Sequence, residues 1–122
     1  MNKPTVLLYD PIPSPWAAKL KTICAIRGFR LHMVETSELD QPLLALLEGA
    51  PTGERASGVP LPEPVMVFCH LTAPQLDRLL PELGKLGARG CLKAMLTPTN
   101  KGWTFRQLYT ELCREREAMA PR

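Results

Sequence analysis

The stretch VMVFCH at residues 65–70 decides the fold. Its five consecutive apolar residues followed by a polar one are typical of a β-strand that is covered on both faces. A second run of the same kind, TVLLYD, occupies residues 5–10 and ends in an Asp-Pro turn. A chain of 122 residues is long enough to bury one substantial core. The two runs therefore predict a single α/β domain with these strands at the centre of its sheet.

The rest of the chain alternates between helical and strand patterns. Helical spacing of apolar residues follows the turn at Ser14, and Thr72 with Gln75 has the spacing of a helix-capping box. Thr104 and Gln107 repeat that spacing before the last helix. The further predicted elements are a strand at residues 29–35, a short helix at 42–48, a strand at 90–96 and a final helix at 105–119.

The order β-α-β-α-β-α-β-α predicts a four-stranded, mainly parallel sheet in the order 2-1-3-4, with helices on both faces. This single domain takes in residues 1–122, and a proline- and glycine-rich segment at 50–64 is predicted to be a long loop within it. A ferredoxin-like α+β fold with an extra C-terminal helix is the alternative. It also centres the two apolar strands, but it leaves one face of the sheet open.

Composition and charge exclude several classes of protein. Hydrophobic residues make up 45% of the chain and charged residues 22%, which is typical of soluble globular proteins. The net charge of +3 is spread along the chain without a basic stripe, so we expect no nucleic-acid partner. The first apolar run is far too short for a signal peptide or a membrane span. We therefore expect a cytoplasmic protein that makes no contact with a membrane.

The cysteines and histidines give no sign of a metal or disulfide site. The four cysteines lie far apart in apolar segments, without a C-x-x-C pair, which predicts reduced and buried thiols. The two histidines lack the spacing of metal ligands, and no glycine-rich phosphate loop occurs. The sequence thus predicts neither a metal nor a cofactor.

The predicted sheet indicates where a ligand would bind. In an open parallel sheet, ligands bind beyond the carboxyl ends of the strands, where the strand order reverses. Three helix N-termini, at Ser14, Thr72 and Thr104, are expected to open onto that end of the sheet and to favour anions. The residues predicted to bind a ligand there are Lys93, Thr97, Thr99, Asn100, Asp10 and His70.

Several of these residues also have a purely structural interpretation. The TPTN turn at residues 97–100 contains good turn formers, whose side chains satisfy local backbone groups. Lys93 lies among apolar residues, and a lysine on an edge strand protects that edge against pairing. Cys69 and His70 are neighbours on a strand, so their side chains point to opposite faces and do not form a catalytic pair without a bend.

The segments VMVFCHL, LKAMLTPTN, WT and LYTELCREREAM resemble a small bacterial family classed as a domain of unknown function. Members carry a similar V-F-C-x-L strand, an L-K-A-x-L-T-P-T-N loop, a Trp-Thr pair and an E-L-x-x-E-x-x-A-M helix. The similarity is most specific from Val65 to Met119 and implies a compact cytoplasmic α/β protein with no assigned activity. This chain has Arg116 where the family pattern has a histidine.

The hypothesis that the sequence favours is a non-catalytic binding or regulatory module, which takes a small anionic ligand or a protein partner at the strand ends. An enzyme that uses Cys69 with Lys93 or His70 is the second hypothesis, and it requires a reactive thiolate. The third is a structural protein that self-associates through its C-terminal helix, with residues 114–117 facing outward. The sequence does not predict an oligomeric state.

Overall fold

A computed structural model describes residues 3–49 and 58–119 of the chain, without the side chain of Arg89. Its strands are β1 (Thr5–Tyr9), β2 (Arg30–Met33), β3 (Val65–Cys69) and β4 (Leu92–Met95). Its helices are α1 (Ala17–Arg27), α2 (Leu43–Glu48), α3 (Ala73–Leu86) and α4 (Phe105–Met119). Short 3-10 turns at Thr36–Glu38 and Ala88–Gly90 complete the element order.

The predicted α/β fold class and the strand order 2-1-3-4 are confirmed. The neighbours β1 and β2 are parallel, as are β3 and β4, but the two central strands β1 and β3 are antiparallel. The sheet is therefore mixed, and each of its two ends carries the carboxyl ends of two strands and the amino ends of the other two. We call the end at which β1 and β2 finish the Asp10 end, and the end at which β3 and β4 finish the His70 end.

Helices cover both faces of the sheet, so the open face of the ferredoxin-like alternative does not occur. On one face, Val6, Leu8, Met66 and Phe68 of the central strands pack against α1 and α3. On the other face, Leu7, Tyr9, Val65, Val67 and Cys69 pack against α2 and α4. Every residue of β1 and β3 is buried, as two continuous apolar runs predict.

The long connection before β3 makes the antiparallel arrangement possible. A helix of six residues, α2, spans only about 9 Å, and it ends beside residues of the His70 end. The chain then returns to the Asp10 end, where β3 begins. The part of the predicted 50–64 loop that precedes residue 58 lies outside the described residues. In the part that is described, Leu61 is buried, and its backbone N–H donates to the Tyr9 hydroxyl at 3.0 Å.

The two halves of the chain have the same β-α-β-α arrangement and are related by an approximate two-fold axis perpendicular to the sheet. The axis passes between the paired residues Leu7 and Val67. Backbone N–H···O=C hydrogen bonds recur in equivalent pairs, the first of each pair in one half and the second in the other. At the strand starts these are Arg30 to Pro4 and Leu92 to Pro64, and at the strand ends Val34 to Leu8 and Leu96 to Phe68. Between the halves, Leu44 donates to Lys101 and Arg106 donates to Leu39. Residues of one half thus have defined counterparts in the other.

Two of the predicted helix caps are confirmed. Thr72 and Gln75 exchange hydrogen bonds at the start of α3, and Thr104 and Gln107 do so at the start of α4. The predicted cap at Ser14 is wrong, because α1 begins at Ala17 and has no side-chain cap. The Ser14 hydroxyl instead donates to the Asp10 carboxylate.

Candidate functional site

The antiparallel central strands divide the predicted ligand-binding residues between the two ends of the sheet. Asp10 follows β1 and lies at the Asp10 end, whereas His70 follows β3 and lies at the His70 end. The loop at residues 97–100 follows β4, which is parallel to β3, and so it shares the end of His70. The ligand site predicted from a parallel sheet does not assemble as one constellation.

The TPTN turn is held together by its own side chains. The Asn100 amide oxygen accepts the Thr97 N–H at 2.8 Å, and the Thr97 hydroxyl accepts the Asn100 N–H at 3.1 Å. Asn100 also donates from Nδ2 to the Met95 carbonyl at 2.9 Å and is buried. The counterparts in the first half, Glu35 and Glu38, form the same reciprocal pair with different side chains. Because both halves form this turn with different side chains, the path of the backbone explains the turn.

Lys93 is also engaged within the chain. Its Nζ donates to the carbonyls of Ala88 at 2.8 Å and Cys91 at 3.0 Å. It is also among the residues lining a groove of about 320 Å³, together with Thr97, Thr99, Asn100 and the α4 residues Glu111 and Glu115, although its Nζ is bonded on the other face of the sheet. Four of the six predicted residues therefore line one groove, but the two carboxylates in the same lining disfavour an anion there.

Asp10 stabilises the turn that leads into α1. Its carboxylate accepts the Ser14 N–H at 2.8 Å and the Ser14 hydroxyl at 2.8 Å. These bonds tie the Asp-Pro turn to the start of the helix, as Asx side chains commonly do. Asp10 thus has a structural role at the opposite end of the sheet from His70.

A cleft at the His70 end collects basic side chains that the sequence did not group together. We call it the basic cleft; its volume is about 590 Å³, and it is lined by Lys3, Thr5, Arg30, Leu44, Leu47, Glu48 and His70. Lys3 and Arg30 lie where β1 and β2 begin, and His70 lies where β3 ends. Sequence reasoning searched only the carboxyl ends of strands, so it found His70 and missed the other two.

The charges in the basic cleft are not balanced within the described chain. Lys3, Arg30 and His70 are exposed, and none of them forms an ion pair with another residue in ranges 3–49 and 58–119. Glu48 is the one carboxylate among the lining residues. Two permanent cations and a histidine therefore face a single acidic group, which favours an anion from outside.

His70 adopts a left-handed backbone conformation, with φ of 62°. No other non-glycine residue within the described ranges has positive φ. For an L-residue this conformation costs roughly 1–2 kcal/mol, although histidine tolerates it better than most. It turns the chain sharply from β3 towards α3 and leaves the imidazole exposed at the mouth of the basic cleft.

At the position equivalent to the basic cleft, the second half has an internal ion pair. Glu63 stands at the position equivalent to Lys3, and its carboxylate accepts hydrogen bonds from Arg116 at 2.8 and 3.0 Å. The Tyr109 hydroxyl donates to the same carboxylate at 2.8 Å. These contacts, led by the one with Arg116, lower the pKa of Glu63 from 4.5 to about 2. Within the part of the chain that the structure describes, Lys3 has no such ion pair, and α2 ends at Glu48 with Gly49 as its C-cap, whereas α4 continues to Met119.

The buried cysteines are unreactive. Burial raises the pKa of Cys69 to about 12, of Cys91 to about 12 and of Cys24 to about 11. Cys69 points into the core between the sheet and the helices α2 and α4. Lys93 lies on the other face of the sheet, since it pairs with Met66 of the opposite core. A thiolate at Cys69 activated by Lys93 has no support in this geometry.

Comparison with known proteins finds one similarity. Residues 64–119, from the start of β3 to the end of α4, match a family model described as Domain of unknown function (DUF3783). This confirms the resemblance predicted from the sequence over the second half of the fold. No curated protein and no solved structure matches the chain significantly.

No helix in ranges 3–49 and 58–119 is long and apolar enough to cross a bilayer. Nor do the histidine, cysteine, aspartate and glutamate side chains of these ranges form a group of three or more that could hold a metal ion.

Proposed function

We propose that this chain, whose second half carries the matched domain, is a non-catalytic binding module that takes an anionic group in the basic cleft. Three basic side chains, Lys3, Arg30 and His70, would contact the anion. Of the residues predicted from the sequence, His70 keeps its proposed role. Lys93, Asn100 and Asp10 are already bonded within the chain and serve as reference positions.

The observation that carries the proposal is the convergence of three basic side chains from three separate strand ends on one cleft. Bringing like charges together is unfavourable unless a counter-ion is present. The lining of the cleft includes Leu44 and Leu47, and apolar lining lowers the local dielectric and strengthens attraction to an anion. The unusual backbone of His70 supports the proposal, because such conformations cluster at binding sites.

A binding role is favoured over an enzyme because the lining of the basic cleft offers no activated nucleophile. The Thr5 hydroxyl donates to the Lys3 carbonyl at 2.9 Å and makes no hydrogen bond to a histidine or a carboxylate among the described residues. The thiol of Cys69 is fully buried and its pKa is raised. The alternative enzyme, which pairs Cys69 with His70, would need a thiolate that this environment disfavours.

Self-association through the last helix is less favoured, because two of its outward charges already have partners within the chain. Arg116 is held by Glu63, and Arg114 pairs with Glu111 on the same helix at 2.7 Å. Both arginines thus already have partners. We also propose a cytoplasmic location, because the four cysteines are free, as expected in a reducing compartment.

Thermal unfolding in inorganic phosphate tests the proposal, with sodium chloride used to hold the ionic strength constant. Phosphate at ten times its dissociation constant should stabilise the protein by about 1.4 kcal/mol. We expect Arg30→Ala to remove this stabilisation and Lys93→Ala, a cation outside the basic cleft, to keep it. The proposal would be contradicted if phosphate stabilised both variants equally. It would also be contradicted if neither phosphate nor sulfate stabilised the unmodified protein.

A further inference from the structure

The outer edge of β2 is free to accept another strand. The N–H groups of Arg30 and Val34 donate inward to β1, to the carbonyls of Pro4 at 2.9 Å and Leu8 at 2.7 Å. In a parallel pair the intervening residues direct their backbone groups the other way. Leu31 and Met33 therefore face outward, and no residue of ranges 3–49 and 58–119 pairs with their backbone.

The outer edge of β4, by contrast, is protected by side chains. Lys93 donates to the outward carbonyl of Cys91, and Asn100 donates to that of Met95. The counterparts of these two residues in the first half are Leu31 and Glu38, neither of which has a side-chain donor. The approximate symmetry thus shows one edge that is protected and one that is not, and natural proteins usually protect the edges they do not use.

We propose that an extended acidic segment of a partner protein adds to β2 as a fifth strand and places a carboxylate against Arg30. The inference rests on the proposed function, because Arg30 belongs to both the basic cleft and β2. Strand addition gives affinity through main-chain hydrogen bonds and specificity through alternate side chains.

The two faces of β2 define the side chains of that partner. Arg30 and His32 point to the α2 face, whereas Leu31 and Met33 point to the α1 face, where 48% of the Met33 surface is exposed. Cross-strand neighbours on one face interact directly. A segment that alternates acidic with aliphatic residues would set its carboxylates beside Arg30 and its aliphatic side chains beside Leu31 and Met33.

A second copy of this chain is a less favourable occupant. Two antiparallel β2 strands would bring two Arg30 side chains to the same face, whereas His32 of each copy already contacts the Glu38 carboxylate of its own chain at 3.1 Å. Like charges across a strand pair are destabilising. Arg30, which forms no ion pair within ranges 3–49 and 58–119, and the continuity of the edge with the basic cleft favour an acidic partner.

The test uses the full chain and a synthetic peptide, acetyl-SEVEVES-amide, with binding followed by chemical shifts of ¹⁵N-labelled protein. Met33→Pro removes an outward N–H without touching the inward hydrogen bonds, and proline is tolerated on edge strands. Met95→Pro is the matched control, since Met95 is the counterpart of Met33 on the protected edge. We expect the peptide to bind Met33→Pro at least tenfold more weakly than Met95→Pro. A peptide N-methylated along one edge should show a similar loss.

The outcomes separate this inference from the proposed function. If phosphate shifts the signals of the basic cleft but the peptide binds both proline variants equally, strand addition is overturned and anion binding stands. Equal binding of the N-methylated peptide leads to the same conclusion. If neither phosphate nor the peptide binds, both ideas fail. If Met33→Pro is unfolded, hydrogen exchange of the unmodified protein takes its place. The peptide should then protect the Leu31 and Met33 amides from exchange, and unchanged exchange of these amides would overturn the inference.

Discussion

The Asn100 side chain accepts the Thr97 N–H at 2.8 Å while the Thr97 hydroxyl accepts the Asn100 N–H at 3.1 Å. This reciprocal pair closes the turn after β4, and the bond from Asn100 Nδ2 to the Met95 carbonyl anchors the turn to the strand. Two of these three hydrogen bonds depend on the buried side-chain amide of Asn100. They account for the residues of the turn without a ligand.

Asn100→Ala should lower the free energy of unfolding by about 1–2 kcal/mol, because it leaves the Thr97 N–H and the Met95 carbonyl without partners. Thr99→Ala is the matched control, since Thr99 is exposed in the same turn. We expect the control to change stability by less than about 0.5 kcal/mol. Urea unfolding measures both. Equal stability of the two variants would show that the amide bonds contribute nothing.

His70→Gly should raise stability and weaken anion binding at the same time. Glycine adopts positive φ without steric cost, so relief of the strained backbone is expected to add about 0.5–1 kcal/mol after its own entropy is counted. His70→Ala separates the two effects, because it removes the imidazole but keeps the Cβ. We expect His70→Ala to bind phosphate as weakly as His70→Gly without being stabilised. Thermal unfolding with and without phosphate gives both quantities, and a destabilised His70→Gly would argue against backbone strain.

Glu63 should make stability depend on pH in the acid range. Its pKa falls from 4.5 to about 2 on folding, so the unfolded chain binds more protons between these values. The stabilisation is complete above pH 4.5 and is lost as the pH falls towards 2. The free energies of unfolding of the unmodified protein and of Glu63→Gln should differ at pH 6 and become equal near pH 2. A difference that stays constant with pH would mean that the carboxylate charge is not what stabilises this contact.

Iodoacetamide should leave Cys69 unlabelled in the folded protein. The thiol is fully buried, and its pKa of about 12 leaves almost no thiolate at neutral pH. Cys113 is partly exposed and serves as the internal control. Mass spectrometry of digests taken over time compares the two sites. Labelling of Cys69 as fast as that of Cys113 would revive the thiol-dependent enzyme.

The elements and the strand order were predictable because strong local patterns specify them. The continuous apolar runs at β1 and β3 mark buried strands, and the threonine–glutamine pairs mark the starts of α3 and α4. The relative direction of β1 and β3 was not predictable in this way. Both directions bury the same side chains, and the choice depends on how the chain returns between α2 and β3.

The antiparallel direction of β3 relative to β1 determined how much of the candidate site could be predicted from the sequence. In a parallel sheet Asp10 and His70 would lie at the same end, whereas here they are counterparts at opposite ends. Lys3 and Arg30 were not predicted because they lie at the starts of strands, and only the antiparallel pairing brings strand starts beside His70. The roles of Lys93 and Asn100 depend on individual carbonyls, which the sequence does not reveal.

The measurement that tests the central claim most directly is a titration of ¹⁵N-labelled protein with inorganic phosphate, followed by chemical shifts. The account predicts saturable shifts at Lys3, Arg30 and His70, with no change at Lys93 or in the turn at residues 97–100. The shifts should weaken as salt is added, because exposed charges are screened. Shifts centred on Lys93 and the turn, or none beyond those that sodium chloride produces, would contradict the claim.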